Sequence, residues 1–225
     1  MSSWPIVGWF EVTRYELRLI FHIFTYMITT TKPFSLIVAC TQNGGIGKDN
    51  GIPWHVPQDM KHFYRVTTGT SVTSVTSVTS VTSMNAVIMG RKTWESMQQK
   101  RLKNRINVVI SGSQTLTEEY AKSHDIILAK SLQDALDKLG NEDHVGDVVI
   151  GDVFVIGGAS VYQDALCHPM CTTAHVTWIH GNYDCDTFFP VEALARTFEK
   201  DGTVTCLCVE ETPVYSIKKY ERLAM

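Results

Sequence analysis

Short apolar runs that alternate with glycine-bearing turns and helical segments constrain the fold of this chain more than any other feature. The runs are nearly continuous in apolar residues, which is typical of strands buried on both faces of a parallel sheet. They are Phe34 to Cys40, Asn85 to Met89, Arg105 to Ser111, Ile126 to Ala129, Val153 to Ile156 and His175 to Ile179. Residues 204–209 and 214–220 predict a terminal hairpin. The sequence therefore predicts an α/β domain with flanking helices, a mainly parallel central sheet and an antiparallel C-terminal edge.

Length and composition favour one soluble globular domain. The 225 residues are 44% hydrophobic and 19% charged, and the net charge of −3 gives no indication of nucleic acid as a partner. The chain has six cysteines, several of them in apolar runs, which favours reduced, buried thiols in a cytoplasmic protein over a disulfide framework. Cys167 and Cys171 lack a second pair of ligands at finger-like spacing, so no metal site is expected.

Residues 1–31 differ from the rest of the chain and form a predicted N-terminal extension, whereas residues 32–225 form the predicted domain. The apolar run from Leu19 to Ile28 is too short for a membrane span, and the start of the chain lacks the basic residues and cleavage site of a secretory signal. An appended helix, a membrane-surface or targeting segment, and a tail outside the folded unit all remain open. We expect residues 1–26 to be dispensable, with a soluble and active product starting at Met27.

A low-complexity segment interrupts the predicted domain. Residues 71–83 repeat Ser-Val-Thr, and a period of three residues matches neither a strand nor an α-helix, so the valines cannot all face one core. We therefore predict a flexible surface loop over residues 70–83 that carries no chemistry.

The stretch from Gly44 to Phe63 combines a glycine-rich loop with the start of a helix. The loop can lie close against a ligand, and Pro57 suits the first turn of a helix predicted to end near Thr67. Asp59 stands on the apolar side of this helix, where a carboxylate needs a polar partner in the protein or in a ligand. A first-turn acid that is merely favoured by the helix dipole is the alternative interpretation.

Two further turns lie where strands end and helices begin. The turn from Gly90 to Thr93 carries two cations, and Thr93 is predicted to cap a helix over Trp94 to Met97, which together would make an anion site. A solvated basic turn is the alternative. The Gly157-Gly158 turn allows a ligand to approach the backbone closely. Because ligands bind at the carboxyl ends of parallel strands, we expect both turns to lie near Asp59.

Taken together, these segments resemble dihydrofolate reductase from about Phe34 to Leu223. The motifs occur in the family's order and are Ile37-Val38-Ala39, Gly45-Ile46-Gly47, Ile52-Pro53-Trp54, Asp59 with Phe63, Met89-Gly90-Arg91-Lys92-Thr93-Trp94, Arg105, Gly157-Gly158 through Val161-Tyr162, Val176-Thr177 and Asp186-Thr187-Phe188-Phe189-Pro190. The resemblance implies a dihydrofolate-reductase-like fold. It also implies NADPH-dependent reduction of 7,8-dihydrofolate to 5,6,7,8-tetrahydrofolate, which supports one-carbon metabolism and thymidylate synthesis.

The resemblance implies roles for individual residues around the pterin. Hydride would reach C6 while N5 takes a proton from a bound water, and Asp59 would anchor the ring and polarise that water. Trp54 would help to hold the water, and Thr177 would hydrogen-bond Asp59. Arg105 would bind the glutamate α-carboxylate of the substrate. The implied pocket lining comprises Ile37, Val38, Met60, Phe63, Met97, Leu102 and Ile156.

The resemblance also implies where NADPH and other ligands would bind. The loop at Ile46 and Gly47 would cover the nicotinamide with Ala39. Phosphate groups would meet residues Gly90 to Thr93, with Arg91, Lys92, Ser111 and Lys130 near the adenosine 2′-phosphate. The remaining implied cofactor contacts are Gly157, Gly158, Ala159, Ser160, Val161 and Tyr162. Antifolates such as methotrexate would compete for the substrate site, and no obligate protein partner is implied, so a monomer is expected.

Several positions depart from the family pattern. Residues Gln98 to Arg101 replace the usual proline-bearing segment, and Asn104 stands at a common glycine position. Gly112 stands where a second polar cofactor contact is often found. Some relatives carry a fused thymidylate synthase, whereas this chain leaves no room for one after the last predicted strand, so a monofunctional reductase is expected.

Two other functions remain open at this point. A pyrimidine reductase of the riboflavin pathway shares the fold and NADPH, but would not need Asp59, Phe63 and Arg105 together. A folate-binding protein that has lost turnover would keep the pterin pocket. NADPH oxidation in the presence of dihydrofolate separates these alternatives.

Overall fold

The computed structural model describes residues 32–69, 82–112, 116–140, 144–145, 148–207 and 215–223. The predictions for the N-terminal extension lie outside these ranges, as do those for residues 70–81 of the repeat segment. No helix in the described ranges is both long and apolar enough to cross a bilayer.

A nine-stranded sheet forms the centre of the described structure, and two further strands form a small separate ladder. In chain order the strands are β1 (Phe34–Thr41), β2 (Gly45–Gly47), β3 (Thr82–Gly90), β4 (Ile106–Ile110), β5 (Ile127–Ala129), β6 (His144–Val145), β7 (Val148–Gly157), β8 (Cys171–Ile179), β9 (Thr187–Phe188), β10 (Phe198–Leu207) and β11 (Tyr215–Arg222). The order across the large sheet is β10-β11-β8-β1-β7-β3-β4-β5, with β6 beside β7.

The direction of the strands matches the prediction from sequence. Strands β8, β1, β7, β3, β4 and β5 run parallel to one another. At the C-terminal edge β11 pairs antiparallel with β8, and β10 pairs antiparallel with β11. The predicted α/β class, with its mainly parallel sheet and antiparallel C-terminal edge, is confirmed.

Two hydrophobic cores lie on the two faces of this sheet. The described helices are α1 (Pro57–Thr68), α2 (Arg91–Ser96), α3 (Glu118–His124), α4 (Leu132–Gly140), α5 (Ala159–Cys167) and α6 (Val191–Thr197). Side chains of α4, α5 and α6 pack into the first core, and side chains of α1, α2 and α3 pack into the second. Along β1, Leu36, Val38 and Cys40 belong to the first core, whereas Ile37 belongs to the second, as the alternation of a strand requires.

Several predicted boundaries are wrong, and strands β7 and β10 also begin five or six residues earlier than predicted. Strand β3 begins at Thr82 and pairs with β7, so the last residues of the loop predicted over 70–83 are part of the sheet. Helix α2 begins at Arg91 after Gly90, without a side-chain cap, so Thr93 lies inside the helix and does not cap it. Strand β8 begins at Cys171, not at His175, because its pairing with β1 and β11 continues through polar residues.

Candidate active site

Asp59 lies in the first turn of α1 and is half-buried. Pro57 begins the helix, and Val56 precedes it without forming a side-chain cap. Phe63 and Val66 pack into the second core, at positions one and two turns further along the same side of the helix. This spacing directs the Asp59 carboxylate towards the sheet.

Three influences act on the carboxyl group of Asp59. Burial raises its pKa, a hydrogen bond with Thr177 opposes that rise, and the positive charge that His62 can carry opposes it as well. Thr177 lies on β8 and is 2% exposed. The polar partner that a carboxylate needs on an apolar helix face is thus a buried hydroxyl of the neighbouring strand.

Trp54 belongs to a small cluster at the carboxyl ends of β1 and β8. Its indole lies edge-on to the ring of Tyr183, with 5.3 Å between centroids. Ala39 packs against the same cluster, whose buried members include Ile179 and Tyr215. The segment that precedes α1 is therefore anchored to the strands that flank Asp59.

Most of the predicted pterin-lining side chains gather in the second core. Its buried members include Ile37 and Ile156, and the partly buried side chains packed against it include Phe63, Met97 and Leu102. Met60 is 58% exposed and lies at the rim. Val38 does not join this group, because its side chain packs into the first core on the opposite face of the sheet.

Arg105 is 6% exposed at the start of β4. One of its terminal nitrogens donates to Oγ1 of Thr67 at 2.7 Å, and its Nε donates to the carbonyl of Lys103 at 3.0 Å. Its guanidinium carbon lies 5.7 Å from the ring centroid of Phe63 and 5.3 Å from that of Tyr64. These contacts orient a cation at the end of α1 away from Asp59.

The rim beside Arg105 is held by side-chain amides. Asn107 accepts from the N–H of Leu102 and donates to its carbonyl, both at 2.9 Å. Asn104 donates to the hydroxyl of Tyr64 at 3.3 Å and has a φ of 60°. This left-handed backbone explains why glycine would suit position 104, and asparagine is among the residues that tolerate it best.

The two glycine-bearing turns lie side by side. Met89 pairs with Gly157 across β3 and β7. A Cβ atom on Gly158 would lie 3.3 Å from Oγ1 of Thr93, and one on Gly90 would lie 3.2 Å from Cγ2 of Val161. The turns approach each other so closely that side chains at these glycines would crowd the space between α2 and α5.

Helix α5 is fixed by a buried tyrosine. The hydroxyl of Tyr162 donates to the carbonyl of Ile37 at 2.8 Å, and the ring packs in the first core with Val161. The predicted contacts Ala159 and Ser160 form the first turn of the helix at the carboxyl end of β7. Val161 and Tyr162 thus anchor this turn to the first core.

The predicted cations occupy different settings. Arg91 forms an ion pair of 2.6 Å with Glu95 one turn along α2, and Lys92 is exposed. Ser111 donates its backbone N–H to the carbonyl of Ala129 at 2.9 Å, which brings Ser111 next to Lys130 at the carboxyl ends of β4 and β5.

The loop after β1 is held by a short ladder with the segment that follows β8. Strand β2, which contains Ile46 and Gly47, pairs antiparallel with β9. Asp186 donates its N–H to the carbonyl of Gly47 at 3.0 Å, and its carboxylate accepts from the N–H of Asp49 at 2.9 Å. The glycine-rich loop therefore has a defined position over the carboxyl ends of the strands.

Reasoning from sequence missed two histidines, His62 beside Asp59 and His175 near His62. His62 lies three residues after Asp59 on α1, and its charge acts on both Asp59 and His175. The spacing along the helix could have indicated His62, but the proximity of His175 depends on how α1 packs on β8. The described residues contain no group of three His, Cys, Asp or Glu side chains that could hold a metal ion.

A surface cavity of about 570 Å³ lies elsewhere, between the segments that follow β1 and β8. Its lining comprises Gln42, Asn43, His180, Gly181, Asn182, Tyr183 and Asp184. None of the residues predicted for the site lines it, although Trp54 contacts the lining residue Tyr183.

Comparison with known proteins identifies relatives of this chain. A sequence profile described as "Dihydrofolate reductase" matches residues 33–206. The bifunctional dihydrofolate reductase-thymidylate synthase of Daucus carota is 40% identical over 162 residues, which cover 71% of this chain and 28% of that protein. The chain thus spans little more than a quarter of the length of this bifunctional relative.

Other relatives are matched over most of their length. The dihydrofolate reductase of Pneumocystis carinii is 41% identical, with 72% of this chain and 75% of that protein covered. For the enzyme of Rattus norvegicus the identity is 38%, with coverage of 85% and 98%. The structure resembles dihydrofolate reductase from Enterococcus faecalis complexed with NADP(H) and RAB-propyl, at a TM-score of 0.65 and 25% identity, covering 84% of this chain and 96% of that one. This chain belongs to the dihydrofolate reductase family.

Proposed function

We propose that the chain catalyses the NADPH-dependent reduction of 7,8-dihydrofolate to 5,6,7,8-tetrahydrofolate. The observation that carries the proposal is the half-buried carboxylate of Asp59, which hydrogen-bonds Thr177 and lies beside an apolar wall. A pterin offers an amino group and a ring N–H that such a carboxylate can pair with, and its flat ring suits the apolar wall.

Asp59 would act on the proton rather than on the hydride. Its carboxylate would hold the amino group and N3 of the pterin, and would polarise a water that protonates N5. Trp54 would position that water from the segment preceding α1. Burial raises the pKa of Asp59, which brings the carboxyl group closer to the range in which it can exchange a proton.

The other end of the substrate would lie at Arg105. A planar guanidinium binds a carboxylate through two parallel hydrogen bonds, and the contacts of Arg105 with Thr67 and Tyr64 fix its plane. The aminobenzoyl group would cross the wall formed by Phe63 and Leu102 between this cation and Asp59.

The residues at the two glycine-bearing turns fit a dinucleotide phosphate. The space that a Cβ atom would fill at Gly158 borders the hydroxyl of Thr93, and the first-turn amides of α2 and α5 lie at the same edge of the sheet. Arg91, Lys92 and Lys130 supply positive charge for the 2′-phosphate. NADPH, when bound, would supply the hydride delivered to C6.

We also propose that the protein is a monomer and that it is located in the cytoplasm. Cys40 and Cys171 are buried with free thiols, and burial raises the pKa of each to about 12. Both thiols therefore stay protonated and unreactive at neutral pH, which suits a reducing compartment. Light scattering on the purified chain measures its molar mass in solution and so tests whether it is a monomer.

The decisive experiment measures the loss of NADPH absorbance on addition of dihydrofolate. Steady turnover that methotrexate abolishes supports the proposal. Stoichiometric methotrexate binding without turnover would instead identify a folate-binding protein. NADPH oxidation with the pyrimidine intermediate of riboflavin synthesis, and none with dihydrofolate, would identify a pyrimidine reductase.

A further inference from the structure

His62 lies one turn along α1 from Asp59, so the two side chains are neighbours on the helix surface. Its imidazole is half-buried. The Nε2 atom is buried and has no hydrogen-bond partner among the residues that the structure describes. The Nδ1 atom faces the other way and lies 3.3 Å from a terminal nitrogen of Arg65.

The contact with Arg65 decides which nitrogen of His62 carries the proton. A guanidinium group only donates hydrogen bonds, so Nδ1 must accept. We therefore assign the hydrogen of the neutral ring to Nε2, which places an N–H donor without an acceptor on the buried side of the imidazole. The Arg65 charge also lowers the pKa of His62, together with the larger effect of burial and against the attraction of Asp59.

A second imidazole, that of His175, lies close enough to His62 for their charges to interact. His175 and Thr177 alternate with Val176 along β8, so both point to the face of the sheet that α1 covers. Burial lowers the pKa of His175 to about 4, and the charges of His62 and Lys219 contribute. His175 is therefore neutral near neutral pH and offers a ring nitrogen that can accept a hydrogen bond.

Charged and titratable groups surround this pair on each packed element. On α1 they are Asp59 and Arg65, on β8 His175, and on β11 Lys219, which bonds Glu221. The charge of Asp59 also acts on Tyr215 of β11 and on Tyr162 of α5. Among these described residues, His62 is the group whose charge acts on both the Asp59 carboxylate and the His175 imidazole.

We propose that His62 is a positioning residue for the reaction: oriented by Arg65 and backed by His175, its imidazole takes up a proton as the pH falls and then holds Asp59 ionised. Asp59 and His62 consequently titrate as a coupled pair, and the apparent values belong to the pair. Arg65 is exposed and can turn into solvent when His62 becomes charged. The inference rests on the proposed function only for its effect on turnover.

The first test needs no turnover. Long-range nitrogen–proton NMR spectra of the full chain follow each histidine ring across pH, and His62→Gln identifies the His62 signals. We expect the Nε2–H form of the neutral ring. We also expect Asp59→Asn to lower the pKa of His62 by about one unit, because an attracting charge is lost, and Arg65→Gln to raise it. An unchanged His62 titration in Asp59→Asn would overturn the inference, whether or not the protein reduces dihydrofolate.

The second test follows hydride transfer in single turnovers across pH. His62→Gln and His62→Phe differ in polarity and size, but neither side chain can carry a charge. We expect both variants to move the acid limb of the profile upward by about one pH unit. His55→Gln, at an exposed position on the segment preceding α1, is the matched control and should keep the wild-type profile. A purely structural role predicts different losses in the two variants and no shift of the limb, which would refute the proposal.

Discussion

The two faces of the central sheet bury different chemistry. On the face covered by α4, α5 and α6, the buried cluster is almost wholly apolar, from Leu36 on β1 to Leu136 on α4. On the face covered by α1, α2 and α3, the same strands bury Arg105, Asn107 and Thr177. Neighbouring residues of one strand therefore enter an almost wholly apolar cluster on one face, and an apolar cluster that also buries polar groups on the other.

This difference shows how one parallel sheet can serve two purposes. The apolar face excludes water and stabilises the domain through burial. The polar face has buried groups whose hydrogen bonds constrain their position, such as Thr177 with Asp59 and Thr67 with Arg105. Substitutions on the first face should affect the free energy of unfolding, whereas those on the second should affect binding, turnover and their dependence on pH.

The largest expected effect is that of Asp59→Asn on the polar face. Loss of a positioned acid or base typically slows a reaction about 100- to 10,000-fold, and single-turnover hydride transfer near neutral pH measures this loss. NADPH binding, measured by fluorescence, should be retained. Turnover equal to that of the wild type would contradict the role of Asp59.

The same variant should not destabilise the fold. Burial raises the pKa of Asp59 above its ordinary value of 3.8. The stability that protonated Asp59 contributes is therefore present below that value and is lost as the pH rises through the folded-state pKa. Asparagine stays neutral, so denaturation by urea at neutral pH should show equal or greater stability.

Leu136→Ala tests the apolar face. Leu136 is 1% exposed, and removal of a buried leucine side chain costs roughly 3 kcal/mol of unfolding free energy. Urea denaturation measures this loss. The turnover number per folded molecule and its pH profile should match the wild type, and a shifted profile would show that the two faces are not separate.

Much of this architecture could be predicted from sequence because the strands are continuous apolar runs. The alternation of strands and helices predicted the sheet, and the position of Asp59 on the apolar side of a helix predicted a buried polar partner. The ladder of β2 with β9 was not predicted, since strands of two or three residues show no periodicity and pair with a distant segment. Helices α3 and α6 were missed because each spans only seven residues, which is too short to show a clear helical period.

Two details of the predicted arrangement depend on how the elements pack. Thr93 matched the preference for a capping hydroxyl, yet β3 runs through Gly90 directly into α2, so the helix begins before Thr93. Val38 belonged to a predicted motif, but strand alternation turns its side chain to the apolar face. The preference of a residue for a capping position does not specify where a helix begins. Membership of a motif does not specify which face of the sheet a side chain enters, and that face also determines the surroundings of His175.

Arg105→Leu should weaken folate binding by about 10- to 100-fold, because a hydrogen bond to a charged group contributes roughly 1.5–3 kcal/mol. Titration of the protein with folate and with NADPH measures the two affinities. Arg101→Leu is the matched control, since Arg101 is exposed and pairs with Asp125. Equal weakening of folate and NADPH binding would contradict the position assigned to Arg105.

His175→Phe, a substitution on the polar face, should change how the free energy of unfolding depends on pH in acid. The pKa of His175 is lowered from 6.5 to about 4, so the neutral ring contributes stability that is present above 6.5 and is lost as the pH falls through about 4. Phenylalanine cannot charge and should remove this part of the acid denaturation. Thermal unfolding between these two values measures the difference. An identical pH dependence in both proteins would show that His175 titrates normally.

The smallest expected effects come from two single substitutions on β8, in which threonine is replaced by valine on one face and valine by threonine on the other. Thr177→Val removes the hydroxyl that opposes the raised pKa of Asp59. A hydrogen bond of about 1 kcal/mol corresponds to somewhat less than one pKa unit, so the pH profile of hydride transfer should move upward by that amount. Val176→Thr adds a hydroxyl where the side chain is 0% exposed in the apolar core, and this should cost about 1–3 kcal/mol of unfolding free energy without moving the profile. If both variants moved the profile, or both only lowered stability, the two faces would not be chemically distinct, since Thr177 and Val176 differ chiefly in the face they enter.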